Sequence, residues 1–319
     1  MTPTPRRAAG SPRDRAAGLA DLTWPEVPRD VLVLVPLGST EQHGPHLPFD
    51  TDSVIAAAVA QRVAELLPAR EEGGVLVAPA LAYGASGEHA GFPGTVSIGD
   101  SALRIVVVEM VRSLGIWAAR VVFVNGHGGN VAALDDAVGQ MRAEGHDVAW
   151  TGCDVPGGDP HAGRTETSVM LHLAPDRVRL DAAVAGDTRP LAVLLPELRA
   201  RGVRGVAPSG VLGDPTGATA EEGLRTVRAM TAGALRRITT GVPDARGRLV
   251  VPEAPEAPEA PEAPEAPEAP EVWETPETPE APDTPEVWET SDASEAPSAP
   301  ASAPAPAPTG RPEAERVAR

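Results

Sequence analysis

The sequence predicts an α/β domain built on a mostly parallel sheet. Along residues 21–245, short apolar runs alternate with longer amphipathic ones. The apolar runs are continuous, as in strands covered by helices on both faces. The histidine-rich polar segments all follow those runs, at the carboxyl ends where such sheets carry their sites.

The elements follow in order. Val31–Val35 is an unbroken run of valine and leucine and reads as the first buried strand. Asp52–Leu67 carries an Ala-rich helical pattern. Val75–Ala78 is the second strand, Ser101–Ala118 an amphipathic helix and Val121–Val124 the third strand. Val131–Glu144 is again helical, and Asp147–Cys153 is a weaker fourth strand. Thr165–Leu173 and Ala220–Thr239 complete the helices.

The ends differ from the middle. Of the net charge of −18 over 319 residues, −14 belongs to the segment from Val251, where 17 acidic residues face 3 arginines. The same segment holds 17 of the 36 prolines, in a Pro-Glu-Ala repeat. Proline at that density forbids helix and ladder, and like charges extend the chain. Residues 246–319 are therefore expected to be a disordered, acidic tail. Within it Glu271-Val-Trp-Glu-Thr275 recurs as Glu286-Val-Trp-Glu-Thr290, either a duplication in the repeat or a docking motif. Residues 1–20 are Arg-, Ala- and Pro-rich and are expected to be flexible; they lack the apolar stretch of a signal peptide. No apolar run reaches transmembrane length, so a cytoplasmic protein without a membrane partner is expected. The absence of a basic stripe with aromatics argues against nucleic acid. The chain has one cysteine, Cys153, which reads as a core residue, and no lysine, which fits a GC-rich genome.

The chemistry concentrates after the strands. Gly38–Asp52 places Glu41, His43, His46, Asp50 and Asp52 within twelve residues. Carboxylates and imidazoles at the end of a buried strand are costly unless something pairs them, and a divalent metal does so. Glu41 and His43 are two apart, so an extended backbone points both the same way. The later strands are followed by Tyr83-Gly-Ala-Ser-Gly-Glu-His89, Asn125-Gly-His-Gly-Gly-Asn130 and Asp159-Pro-His-Ala-Gly-Arg-Thr-Glu-Thr-Ser168. Five of the seven histidines lie in these four loops.

Oxygen and nitrogen donors without thiolates suit zinc, manganese or iron(II). Glu41, His43, Asp52, His127 and Glu166 exceed what one hydrolytic ion uses with an open position. That count suggests one or two ions, the pair sharing a carboxylate, to polarise a carbonyl and acidify water. His161, expected at the mouth of the site, suits general acid or base work with Glu166. Arg164, between them, could read a substrate carboxylate bidentately or simply pair with a neighbouring acid at a subunit contact or helix end. Glu88 and His89 read either as substrate contacts or as surface groups. His127 could be a turn histidine, and Glu166 a helix-terminal carboxylate favoured by the dipole. His46 reads as structural.

These motifs, with Phe92-Pro-Gly-Thr95 and Gly213-Asp-Pro-Thr-Gly-Ala218, resemble the creatininase family over roughly Leu22–Thr240. In detail they are most similar to its branch associated with mycofactocin maturation. The resemblance implies a three-layer fold, a hexameric homo-oligomer and metal ligands at Glu41, His43, Asp52 (bridging), His127 and Glu166, with His161 on the substrate side. It also implies a peptidase that removes a C-terminal Val-Tyr dipeptide from a precursor peptide already modified by a radical enzyme. Another amidohydrolase of the family, acting on a small cyclic amide or formamide, is the alternative; a non-catalytic scaffold is the third. One departure stands out. Creatininase itself has a Glu two residues after the histidine of Asn-Gly-His, where this chain has Gly129. That argues against creatinine as substrate and leaves one metal site weaker, differently liganded or empty.

Overall fold

A computed structural model describes residues 17–67 and 74–252. Residues 1–16 of the expected flexible start lie outside the described residues, as does the expected tail from 253, with both Glu-Val-Trp-Glu-Thr segments.

Five strands form one sheet: β1 (Ala17–Gly18), β2 (Val31–Leu37), β3 (Val75–Val77), β4 (Ala118–Asn125) and β5 (Val148–Gly152). Their order is β1-β3-β2-β4-β5, and every pair is parallel. Parallel neighbours need crossovers. Helix α1 (Thr51–Leu66) joins β2 to β3, α2 (Gly99–Leu114) joins β3 to β4, and α3 (Val131–Ala143) joins β4 to β5. Helices α4 (Arg164–Leu173), α5 (Leu191–Val206) and α6 (Ala220–Thr240) follow, then a hairpin of β6 (Val242–Pro243) and β7 (Leu249–Val250).

Strand β2 is buried throughout, and its alternating side chains feed two cores. Val31, Val33, Val35 and Leu37 pack with Leu103 and Val107 of α2 and with α3. Leu32 and Leu34 pack with α1, α4 and α6 on the other face. The result is a three-layer α/β/α fold, and burial on both faces is why the strand runs read as continuous. From β2 the chain moves to β3 on one side, then crosses to β4 on the other. The connections therefore diverge between the ends of β2 and β4, the switch point of the sheet.

Three features differ from expectation. Helix α2 stops at Leu114, capped by Gly115, and Ala118 already belongs to β4. Helix α5 was not expected: Pro196 and Gly202 (φ 65°) interrupt its pattern and kink it. Order also crosses both expected boundaries. Ala17–Gly18 pair with β3, and beyond residue 245 the Trp150 amide donates to Gly247 O at 2.9 Å while Leu249 is fully buried. Cys153 is a core residue, and burial pushes its thiol up to about 12. Among the described residues no helix is long and apolar enough to cross a membrane.

Candidate metal centre

The ends of β2 and β4 and the starts of α1 and α4 converge on one point. Glu41 and His43 come from the loop after β2, and His127 follows β4. Asp52 and Glu166 sit in the first turns of α1 and α4, where the helix dipole favours carboxylates. Asn130 ties the loops together, its side-chain amide donating to Gly38 O at 3.0 Å and to Asn125 Oδ1 at 3.1 Å.

Asp52 is common to two ligand sets: His43, Asp52 and Glu166, and Glu41, Asp52 and His127. His43 Nδ1 is 3.1 Å from the Glu41 carbonyl and donates to it. Its Nε2 therefore faces Asp52 Oδ1 at 3.1 Å and Glu166 Oε2 at 3.8 Å. On the other side, His127 Nδ1 is 3.4 Å from Asp52 Oδ2, and its Nε2 is 3.2 Å from Glu41 Oε2. Ser39 Oγ donates to Asp52 Oδ2 at 2.6 Å and fixes the carboxylate plane.

The electrostatics show what the cluster attracts. Burial pushes Glu41 and Glu166 up to about 7. Burial alone would push His43 and His127 down, yet neighbouring carboxylates, Asp52 for the first and Glu41 for the second, hold both up at about 10. Burial likewise opposes the Asp52 charge, but His43 holds its pKa well below the usual range. Positive charge is what this pocket draws in.

A divalent ion fits that demand. Glu41 is fully buried, and neither of its oxygens has a hydrogen-bond partner. His127 and His89 stand 3.2 and 3.3 Å from it, and a buried carboxylate costs several kcal/mol unless positive charge meets it. The all-oxygen-and-nitrogen donor set matches zinc, manganese or iron(II).

Three imidazoles stack beside this set. His161 lies between His43 and His89, with ring centroids 4.3 and 4.4 Å apart. It is buried rather than at the mouth of the site. Burial, with His43 and His89 nearby, pushes its pKa well down, so the ring is neutral. Nε2–H donates to Gln42 O at 2.9 Å, and Nδ1 stands 3.6 Å from Glu41 Oε1. His89 is no surface group: the turn Gly87–His89 folds it inward, 3.3 Å from Glu41 Oε1. Glu88 reaches His127 Nε2 at 3.4 Å. His46 is structural, sharing a 2.8 Å hydrogen bond with Thr167 Oγ1, and Asp50 pairs outward with Arg177.

Arg164 is corrected. Its Nε binds both oxygens of Glu222 on α6, at 2.9 and 2.8 Å, and the side chain is about half exposed. That is the helix-end pairing, which leaves the guanidinium engaged. Two residues were missed. Gln42, inside the Glu-Gln-His motif, donates its amide to His89 Nδ1 at 2.8 Å and Gly210 O at 3.0 Å. Arg248 falls within the expected tail, but it lies in the β6–β7 hairpin, stacked 5.2 Å over Trp150.

The sequence profile of the creatinine amidohydrolases matches residues 20–238. The chain belongs to the creatininase family. It is a metal-dependent hydrolase of amide or peptide bonds. Among curated relatives it is 57% identical over 218 residues to the mycofactocin precursor peptide peptidase of Mycolicibacterium smegmatis, covering 68% of this chain and 88% of that one. It is 32% identical over 207 residues to the creatinine amidohydrolase of Pseudomonas putida, covering 52% and 75%. Among solved structures, a manganese form of creatininase aligns with TM-score 0.56 at 30% identity, over 70% of this chain and 98% of that one. A zinc–zinc form of a mutant creatininase aligns with TM-score 0.55 at 30% identity, over 69% and 96%.

In this family member a cavity of about 380 Å³ opens beside the cluster. His127 and Glu166 line one side, and Ile55, Trp150, Met230 and Arg248 line the others. Arg248 and Arg237 share the carboxylate of Asp154, each at 3.8 Å, and Asp159 also lines the cavity.

Proposed function

We propose that the chain is the metallopeptidase that releases a C-terminal Val-Tyr dipeptide from the radical-enzyme-modified mycofactocin precursor peptide. The observation that carries this reading is the cavity that joins His127 and Glu166 to Arg248. Its apolar walls suit an aliphatic and an aromatic side chain. Arg248 suits a terminal carboxylate, which a creatinine-sized ring lacks. The names of the relatives at 54–57% identity point the same way.

His43, Asp52 and Glu166 would hold one divalent ion, and Glu41, Asp52 and His127 another. Such ions polarise the scissile carbonyl and lower the pKa of water. The residues do the rest. Glu166, which lines the cavity beside the cluster, accepts a proton from the attacking water and returns it to the departing amine. His161, neutral and with Nε2–H committed to Gln42, keeps Nδ1 as an acceptor to assist that amine. Arg248 anchors the carboxylate and so sets which amide lies over the cluster.

The test is direct. Purified chain loaded with zinc, iron(II) or manganese is incubated with the modified precursor, and products are followed by mass spectrometry. Release of Val-Tyr is expected, with creatinine untouched. Turnover of creatinine or a formamide with the peptide left intact would replace this reading with the small-amide one. We also infer a homo-oligomer, because Trp24, Ile116 and Val193 are exposed in the single chain. Light scattering on the eluting protein tests it, and a monomeric mass would discard it.

A further inference from the structure

We propose that Glu88 is a metal ligand, supplied from the turn Gly87–His89 to complete the Glu41/His127 side of the centre in place of a side chain at position 129. This rests on the metal-dependent reading above.

The space is the first argument. A Cβ built on Gly129 would meet Ala85 O and His127 Nε2 first and then Glu88 Oε1, 2.6 Å away. Glu88 therefore shares, with Ala85 O and His127, the volume that a longer residue at 129 would take, and glycine is what leaves it room. The second argument is spacing. From His127 Nε2, Glu41 Oε2 lies at 3.2 Å and Glu88 Oε1 at 3.4 Å. Tetrahedral ligands at bonds of about 2.0–2.1 Å lie roughly 3.3 Å apart. These two separations are those of a ligand set; to ligate, His127 Nε2 gives up the proton it shares with Ala85 O at 3.2 Å, and the ring keeps a proton on Nδ1 facing Asp52. Independently, among the described residues the buried Glu41 carboxylate has the imidazoles of His127 and His89 beside it and no hydrogen bond within ordinary geometry.

His89 is the other nearby group, and the hydrogen bonds exclude it from ligation. Gln42 Nε2 donates to His89 Nδ1 at 2.8 Å, so the proton of the neutral ring sits on Nε2. That Nε2–H points at Glu41 Oε1, 3.3 Å away. His89 thus orients Glu41 as an outer partner. The turn that carries both residues is braced by α5. Arg204 donates to Gly91 O at 2.5 Å and lies 5.7 Å from the Phe92 ring centroid. Gly202 lets the kinked helix pass close to Glu88 O.

The experiment compares manganese binding by the full chain and by Glu88→Gln. Expected for the unaltered chain are two ions with an exchange-coupled paramagnetic resonance spectrum. Expected for Glu88→Gln are one ion, a six-line spectrum and at least a 100-fold loss of affinity for the other ion, with the melting temperature of the metal-free protein unchanged. Should Glu88→Gln fold poorly, Glu88→Asp provides the second variant. It keeps the charge but draws the carboxylate back by one methylene, and it should weaken the same ion while the other stays bound. Glu88→Gln that binds both ions with unaltered affinity, and shows only a raised KM, would overturn the proposal and make Glu88 a substrate contact. An unaltered chain that binds no metal would instead remove the metallopeptidase reading itself.

Discussion

One oxygen of Asp52 meets His43 Nε2 at 3.1 Å, which leaves its second oxygen turned to the opposite side of the cluster. There it faces His127 Nδ1 at 3.4 Å and accepts from Ser39. Both halves of the centre therefore depend on one side chain in the first turn of α1.

Asp52→Ala should strip metal from both halves, not from one. Bound metal measured by elemental analysis should fall close to zero, and turnover should fall at least about 1000-fold. Ser39→Ala leaves the ligand but frees its plane; loss of such an outer partner costs about 10–100-fold in metal affinity. An Asp52→Ala protein that keeps one ion at full affinity would show that the carboxylate is not shared.

Metal affinity should rise with pH. In the metal-free protein His43 and His127 titrate at about 10 and Glu41 and Glu166 at about 7, all raised above their usual values. Near pH 7 both histidines therefore hold a proton that an incoming ion must displace, so binding releases protons. Calorimetry in buffers of different ionisation enthalpy should register that release, and zinc should bind more tightly at pH 8 than at pH 6. Affinity that is flat or falls over that range would count against the arrangement.

Arg248→Met should raise KM for the free-acid peptide by about 10- to 100-fold, the worth of a charge-assisted pair. It should change little for a C-terminally amidated peptide, already a poor substrate. Arg164→Ala should barely affect either, because its guanidinium is occupied by Glu222. Equal losses from Arg248→Met on both peptides would make it a packing residue on Trp150.

A chain ending at Pro252 should keep full turnover, because all the site residues lie between Gly38 and Arg248. A cut at Thr240 should not be tolerated. It removes Arg248 and the fully buried Leu249, and losing one buried leucine costs about 2–5 kcal/mol. Thermal melting and kinetics of the two truncations separate the cases.

The sequence exposes part of this design and hides the rest, for physical reasons. Val31–Val35 is legible because a strand covered on both faces must be apolar throughout. Glu41, His43 and Asp52 are legible because one loop carries them within twelve residues. Helix α5 is not, since Pro196 and Gly202 erase the period that would announce it. Glu88 and His89 are only half legible: a loop of small residues looks exposed until one sees its turn folded inward. Arg248 follows the last helical pattern, in a hairpin whose strands are two residues long, too short to leave an alternation.

Helix α5 contributes no ligand, yet it braces the turn that presents Glu88 and His89. During synthesis, a chain grown only as far as Leu173 already contains every metal-binding side chain named here. It lacks the wedge that holds Glu88, and His89 beside it, in place. Firm capture of the ion on the Glu41/His127 side must then wait until residues 191–206 have been added and have docked. The newborn protein stays an indifferent chelator until it is nearly able to cut.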